Sequence, residues 1–507
     1  MTPQVDFSVM APIGFLGIGA MLVLLGEVFL SRRESLLGRR LDDRLIGTAL
    51  AGIAIFFLLL TFYVCCVKYA GGAVEVFNPS NPLYQLDPFS ALVSALIALA
   101  SLLSCALAIY YLDELDINHG EYYALVLLAT SGMLVMVGAV DLIAVFLGLE
   151  LMSIPIYVLA GFDRNKLRSN ESAMKYFLIG SFASAIMLYG MALLYGSVGA
   201  TSFEALRAGF DPDSVFSLVG VALLLVGFAF KISSVPFHQW TPDVYEGAPA
   251  AVTAFMSVAV KATAVAALLR VVGLALGPLD EALIDVLWVL AVLTMVVGNL
   301  MAVIQSNVKR LLAYSSIGHA GYILVGVVTG TVEGYAAVVF YLIAYTFMNL
   351  GAFAVVVALS QQGHDCERLE SFAGLAKARP GLAALMTLFM VALAGIPPTV
   401  GFFAKFSIFL AAVRAGQVPL AIIGVLMSVV SVYYYLRIPV LMYMQEPSDE
   451  VPRQGLASGE ALVLGICAFA VLFLGVFPNN GTLWPTGIEV SVVDWARDSV
   501  RLLFPSG

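Results

Sequence analysis

Stretches of apolar residues long enough to cross a membrane recur along this chain from one end to the other. Hydrophobic residues make up 61% of its 507 residues and charged residues only 12%, whereas a soluble domain has about 25% charged residues. A spanning helix needs roughly 20 apolar residues, and strands of a membrane barrel would be shorter and alternating. The sequence therefore predicts an all-α polytopic membrane protein of about fourteen spans. We place these at residues 9–30, 45–69, 88–111, 121–138, 140–161, 172–197, 214–235, 250–275, 282–304, 312–330, 334–360, 382–413, 418–444 and 459–477.

Several kinds of site find no support in the sequence. The net charge is −9, and no basic run indicates nucleic acid. The five cysteines and four histidines have no metal-ligand spacing, and no glycine-rich phosphate loop is present. We therefore expect no metal, redox group, nucleotide or nucleic acid to be bound by this chain.

Basic residues in the short loops predict the orientation. They gather after odd-numbered spans, as in "SRRESLLGRRLDDR" after the first and "FDRNKLRSN" after the fifth, while loops after even-numbered spans hold almost none. Loops rich in lysine and arginine stay on the cytoplasmic side. Both termini are therefore predicted to lie on the outer side.

Four charged residues lie near the middle of predicted spans. A charge at the bilayer centre costs about 2.5–3.5 kcal/mol on insertion scales, so each needs a partner, water or a function. One interpretation is a series of groups that passes protons, and the other is a set of buried ion pairs that lock helices together. Lys175 and His319 are secondary candidates for the proton path. The four central residues are Glu150, Lys231, Lys261 and Lys405.

Prolines interrupt two of these spans. The segment 382–413 would extend about 48 Å as a single helix, and the hydrocarbon core is only about 30 Å thick. Pro397 and Pro398 divide it, and Pro236 follows Lys231 in the same way. Broken helices at corresponding positions are typical of transporters with inverted repeats. We therefore predict broken helices at spans 7 and 12, in two inverted five-helix repeats.

The predicted repeats divide the chain into four regions. These are a three-helix N-terminal region at 1–111, a first repeat at 112–275 (spans 4–8), a second repeat at 276–444 (spans 9–13), and a last helix with a tail at 445–507.

Glu150 and Lys231 suggest a way to control a proton. A lysine holds its proton more tightly beside a carboxylate and less tightly when it is desolvated. We therefore hypothesise that Glu150 sets the proton affinity of Lys231.

Three segments of the chain are distinctive: "SSVPFHQWTPDVYEGAPAAVTAFMSVAVKA" (233–262), "NVKRLLAYSSIGHAGYILVG" (307–326) and "GIPPTVGFFAKF" (395–406). Together they resemble the antiporter-like subunits of respiratory complex I, and the variant "HQWTPDVYEGAP" resembles the subunit N branch of that family.

The resemblance implies a proton channel in a bacterial inner membrane, with Glu150, Lys231, Lys261 and Lys405 at the family's key positions. It implies that NADH, FMN, the iron–sulfur clusters and quinone are bound by other subunits. The expected neighbours are subunit M, the small membrane subunits and the lipid bilayer.

Two alternatives remain open at this stage. An Mrp-type cation/proton antiporter subunit would share the central charges but would transport sodium without a quinone reductase. A structural membrane scaffold would tolerate neutral residues at the four positions.

Overall fold

The computed structural model describes residues 5–32, 43–276, 281–360, 367–446, 455–477 and 492–504. These residues form twenty α-helices, and a two-residue antiparallel pair, β1 (Glu75–Val76) and β2 (Gln85–Leu86), in the loop before the third span. The helices are α1 (Ala11–Arg32), α2 (Asp43–Gly71), α3 (Pro88–Glu114), α4 (Gly120–Gly138), α5 (Leu142–Ala160), α6 (Leu167–Val198), α7 (Phe203–Gly209), α8 (Val215–Ile232), α9 (Trp240–Gly247), α10 (Ala250–Phe255), α11 (Lys261–Arg270), α12 (Glu281–Val303), α13 (Val308–Val328), α14 (Val332–Leu359), α15 (Leu375–Ala378), α16 (Pro380–Ala394), α17 (Val400–Arg414), α18 (Val418–Met444), α19 (Ser458–Val476) and α20 (Val492–Val500).

The predicted number of spans is confirmed. In the described part of the chain, thirteen helical segments are long and apolar enough to cross a membrane, and α16 is a shorter apolar helix. With α17, α16 makes up the predicted twelfth span. The eighth span, Ala250–Ala275, runs through α10, a π-helical turn, α11 and a second π-helical turn. Some helices extend beyond the apolar stretch, because polar residues also fit in a terminal turn; α6 begins at Leu167 rather than near 172.

Both predicted helix breaks are confirmed. In the seventh span, α8 ends at Ile232 and the chain resumes as α9 at Trp240. In the twelfth, α16 ends at Ala394 and α17 begins at Val400. Each interruption contains a cis X-Pro peptide bond. Proline lacks the amide hydrogen that a continuing helix would need.

The chain divides into two compact units. The first consists of Met1–Phe228 with Gly247–Leu276, and the second of Ala229–Glu246 with Gly277–Gly507. The four-region division drawn from the sequence remains a prediction.

Each unit contains a helix pair in near backbone contact. In the first unit, a Cβ placed on Gly148 of α5 would lie 2.6 Å from the amide nitrogen of Met136 in α4. In the second, a Cβ on Gly298 of α12 would lie 2.5 Å from the amide nitrogen of Gly318 in α13. Small residues allow such close helix packing in membranes. The two pairs are the opening helices of the two predicted repeats.

Part of the orientation signal lies outside the described residues. This applies to residues 33–42, which hold most of the arginines after the first span. His364 and Cys366, which are not part of that signal, also lie outside the described residues.

Candidate functional site

Glu150 and Lys261 lie in the first unit. Glu150 is half-buried in α5, and its Oε1 atom is buried without a hydrogen-bond partner in the described part of the chain. Lys261 is 2% exposed and directly follows the π-helical turn Met256–Val260. Single π-helical turns are frequent at functional sites, because they interrupt regular helix packing. The first unit therefore holds a carboxylate that lacks full hydrogen bonding and a fully buried lysine.

Lys231 lies in the second unit, in the last turn of α8. It is 3% exposed and stands directly before the break. Backbone groups at membrane depth must be satisfied by the protein or by enclosed water. Here the Trp240 indole nitrogen donates to the Phe230 carbonyl at 3.1 Å, and the Val235 amide donates to the Thr294 hydroxyl at 3.0 Å. The break is thus held open by specific polar contacts beside the lysine.

The second break positions Lys405, which is 5% exposed. Its Nζ donates to the Ala394 carbonyl and to the Ser428 hydroxyl, both at 2.9 Å. Ala394 is the last residue of α16, where carbonyl groups lack intrahelical partners and the helix dipole favours a cation. The interruption therefore creates the acceptor that holds the ammonium.

Gly395 makes that contact possible. It has φ 84°, in the left-handed region, and a Cβ at this position would lie 2.9 Å from Cδ of Lys405. A left-handed residue that ends a helix is usually glycine. Gly395 thus allows both the helix end and the close approach of the lysine side chain.

His319 is the centre of a buried polar cluster in the second unit. It is 1% exposed, and its Nε2 shares a hydrogen bond of 2.9 Å with the Tyr435 hydroxyl. Its Nδ1 hydrogen-bonds the Tyr341 hydroxyl, and Tyr435 also hydrogen-bonds Ser315. Imidazole and hydroxyl groups both donate and accept hydrogen bonds. The cluster can therefore pass a proton by exchanging donor and acceptor roles.

Aromatic contacts connect Lys405 to this cluster. The Lys405 ammonium lies 5.1 Å from the centroid of the Tyr322 ring, and Tyr322 packs edge-on against His319 with centroids 5.8 Å apart. Asn299 donates to the Tyr322 hydroxyl at 3.1 Å and accepts from Tyr434 at 3.0 Å. Lys405 and His319, which are far apart in sequence, thus belong to one buried polar region.

Comparisons with known proteins agree with this architecture. A family profile described as the membrane region of NADH:quinone oxidoreductase and Mrp antiporters matches residues 139–431. NADH-quinone oxidoreductase subunit N of Trichlorobacter lovleyi is 44% identical over 98% of both chains, and that of Chloroflexus aggregans is 41% identical over 94% of this chain and 96% of its own. The chain belongs to the subunit N family of NADH-quinone oxidoreductase.

Solved structures place the subunit N fold among the antiporter-like proteins. A chain of respiratory complex I from Thermus thermophilus with bound aureothin is 32% identical, with a TM-score of 0.74 over 91% of this chain and 97% of its own. A chain of the Mrp complex from Dietzia shares the fold, with a TM-score of 0.78 over 97% and 98% of the two chains, at 24% identity. The protein is an antiporter-like, proton-translocating membrane subunit of complex I, whose redox centres lie in other subunits.

The family-like segments contact one another in the folded chain. Arg310 of the second segment pairs with Asp243 and Glu246 of the first, both at 2.8 Å. Lys309 donates to the Glu246 carbonyl at 2.7 Å. Lys405 of the third segment contacts Tyr322 of the second. Residues 233–246 of the first segment therefore join the other two segments in one set of contacts within the second unit.

Sequence reasoning missed most of the neutral members of the subunit N site. A single asparagine within the apolar span 282–304 and the "YYY" run at 433–435 were available signals. A tyrosine near a span is, however, common at membrane interfaces, so sequence cannot distinguish a buried hydroxyl from an interfacial one. The missed residues are Asn299, Tyr322, Tyr341, Ser428, Tyr434 and Tyr435.

Lys175 has a different environment from the central lysines. It pairs with Glu171 one turn earlier in α6 at 2.7 Å, and the two side chains are 41% and 57% exposed. Its role in the proton path remains a prediction, as does the proposed control of Lys231 by Glu150.

The structure brings together three side chains of the kinds that bind metal ions, which was not expected from the sequence. Ligand atoms of Glu27, His119 and Glu121 lie within 4.8 Å of one another. Glu27 already accepts a hydrogen bond of 2.9 Å from the amide of Gly120, the first residue of α4. We assign this carboxylate to capping that helix, which also explains its proximity to His119.

Proposed function

We propose that Lys405 is a proton carrier of this complex I subunit and exchanges its proton with the polar cluster around His319. The observation that supports this role is the position of the ammonium. It is held by the Ala394 carbonyl at a helix break and faces the Tyr322 ring, beyond which His319 lies. Neither of the hydrogen-bond acceptors that it has among the described residues is charged, so no salt bridge within that part of the chain holds the proton on the lysine.

We propose that Glu150, Lys231 and Lys261 are also proton carriers. All three lie within spans, two of them are buried lysines beside a helix irregularity, and one is a carboxylate with an oxygen that lacks a partner. An ionisable group in a membrane span is by default a candidate for transport. A lock made of ion pairs would be expected to use both oxygens of its carboxylate.

The role of Lys405 is tested by Lys405→Ala and Lys405→Arg in the assembled complex. Arginine keeps the charge but does not release its proton in a protein. Both variants should lower proton uptake into vesicles per NADH oxidised. Uptake is measured with a pH-sensitive dye, and complex content is determined by immunoblot.

Lys377 provides the matched control. It is an exposed lysine of the same unit that pairs with Glu446 at 2.7 Å, and its alanine and arginine variants should pump normally. Near wild-type pumping in Lys405→Arg would favour a fixed structural charge. Sodium-dependent uptake without NADH oxidation would instead favour the Mrp-type alternative.

We propose further that the helix ends joined by the basic loops face the cytoplasm of a bacterial cell, and that both chain termini lie outside. In the second unit, Lys309, Arg310 and Arg368 lie at the end where α13 begins, which supports this orientation. Subunit M and the small membrane subunits are the proposed neighbours. NADH, FMN, the iron–sulfur clusters and quinone are proposed to be bound by partner subunits.

A further inference from the structure

A cavity of about 300 Å³ lies in the second unit between α14, α17 and α20. Its charged lining residues are Glu333, Arg414 and Arg497, and its aromatic residues include Phe340, Phe403 and Phe406. The proton path described above uses none of these residues.

The charged lining residues of α14 and α17 lie at the ends of their helices, and the aromatic lining residues lie further into the span. Glu333 lies in the first turn of α14 and Arg414 ends α17, so both stand at helix ends. Phe340 lies seven residues further into α14, and Phe403 lies eleven residues before Arg414 in α17. At 1.5 Å per residue these separations are about 10 and 16 Å. The cavity is therefore charged at the end of the span and aromatic towards its middle.

The charged groups at the mouth have capacity to bind a ligand. Within the part of the chain that the structure describes, the side chains of Glu333 and Arg414 form no hydrogen bond or ion pair. Arg497 contacts Asp494 of its own helix at 3.6 Å, with both side chains about half exposed. Such exposed pairs contribute little and are readily exchanged for a better partner.

The aromatic end of the cavity includes a residue at the surface of a membrane-spanning helix. Phe406 is 52% exposed and stacks on Phe402 one turn earlier. A ligand held at the mouth could thus extend an apolar chain along α17. This favours a membrane lipid over free phosphate, which would leave the aromatic part of the cavity unused.

We propose that this cavity binds a phospholipid whose headgroup carries a primary ammonium, as in phosphatidylethanolamine. The phosphate binds Arg414 and Arg497, since guanidinium groups match phosphate geometry. The ammonium binds Glu333, and the acyl chains follow the exposed face of α17. A headgroup with a phosphate and an ammonium is attracted by both the arginines and Glu333. A purely anionic headgroup would be repelled by the Glu333 carboxylate.

The test uses the assembled complex in membranes that contain photoreactive phospholipids. Three lipids carry the same diazirine-labelled acyl chain and differ only in their headgroup, which is ethanolamine, choline or glycerol. After irradiation, adducts are mapped by peptide mass spectrometry. The ethanolamine lipid should label residues 336–340 and 403–411 roughly tenfold more than the choline lipid, since the latter cannot donate a hydrogen bond to Glu333.

Variants separate the contributions of the two charges. Arg414→Gln should lower labelling by all three lipids, and Glu333→Gln should reduce ethanolamine labelling to the choline level. Ser407→Phe fills the cavity without changing its charge and should lower labelling by every lipid. Arg164→Gln changes an exposed arginine of the first unit and should leave labelling unchanged.

Three results would overturn the proposal. If the three lipids label the cavity equally and no variant changes this labelling, the cavity makes only ordinary contact with bulk lipid. Strongest labelling by the glycerol lipid would indicate an anionic headgroup. Labelling that appears only after the complex is dissociated would show that a neighbouring subunit covers the cavity.

Discussion

The ammonium of Lys405 lies 2.9 Å from the carbonyl oxygen of Ala394, the last residue of the first half of the broken twelfth span. This contact joins a side chain of the second half-helix to the exposed end of the first. A continuous helix would use the Ala394 carbonyl in its own hydrogen bonding. The break therefore supplies a neutral acceptor that stabilises the charge of a buried lysine.

The first prediction concerns the glycine that permits this contact. Gly395→Ala should impair pumping, because a Cβ there would meet Cδ of Lys405 at 2.9 Å and because φ 84° is unfavourable for alanine. The backbone term alone costs roughly 1–2 kcal/mol. Proton uptake per NADH oxidised is the measurement, with complex content checked by immunoblot.

Gly381→Ala is the control for Gly395→Ala. Gly381 lies in the same half-helix, and a Cβ on it would have no neighbour within 4 Å. Its variant should pump at the wild-type rate. Equal effects of the two alanines would contradict a specific role for the approach of Lys405 to the helix end.

The second prediction concerns the hydroxyl that joins His319 to Ser315. Tyr435→Phe removes it and should lower proton uptake, since the hydrogen-bonded series through His319 Nε2 is interrupted. Leaving buried polar partners unsatisfied should also cost about 1–3 kcal/mol of stability. Proton uptake and the thermal unfolding midpoint of the complex are both measured.

Tyr433→Phe is its matched control, because Tyr433 lies in the same tyrosine run but is 63% exposed. This variant should resemble the wild type in both measurements. If Tyr435→Phe loses stability but pumps normally, the cluster has a packing role and the proposed path is wrong.

The third prediction concerns stability rather than transport. Asp87 and Arg270 form an ion pair of 2.7 Å in the first unit, and both side chains are 1% exposed. Asp87→Asn leaves the buried guanidinium without its counter-charge, which should cost about 3–5 kcal/mol. The thermal unfolding midpoint should fall clearly. Glu171→Gln, which removes a half-exposed ion pair of α6, should lower the free energy of unfolding by less than about 1 kcal/mol and leave the midpoint nearly unchanged.

The pH dependence of this effect has a defined sign. Burial would raise the pKa of the Asp87 carboxyl, but the Arg270 guanidinium and hydrogen bonds from Ser90 and Gln85 hold that pKa below its usual value. The ion pair therefore stabilises the fold fully above the unfolded pKa of about 3.9. The difference in the free energy of unfolding between wild type and Asp87→Asn should be constant from neutral pH to about pH 5. It should shrink only in more acidic solution. A difference that declines between pH 8 and pH 6 would contradict this assignment.

The fourth prediction concerns orientation. A cysteine at Asn165, between Arg164 and Lys166 in the basic loop after the fifth span, should be protected from an impermeant maleimide outside intact cells. A cysteine at Asp213, in the exposed loop before α8, should be labelled. The parent with its native cysteines gives the background signal. The opposite labelling pattern would reverse the proposed topology.

The sequence alone determined the number of spans, the two breaks and the central charges. Apolar length and proline position act locally, so the spans near 250–275 and 382–413 and the breaks at Pro236 and Pro397 could be read without knowing any neighbour. Lys231, Lys261 and Lys405 were identifiable because a charge in an apolar run is costly whatever surrounds it.

Only the tertiary structure decided which neutral groups complete the site. The Ala394 carbonyl, Ser428 and Tyr322 around Lys405 come from three different helices, and Tyr341 reaches His319 from a fourth, α14. A backbone carbonyl or a tyrosine has no sequence pattern that marks it as a ligand, because its role depends on how the helices pack. Helix packing therefore turned isolated charges in the sequence into a connected polar region.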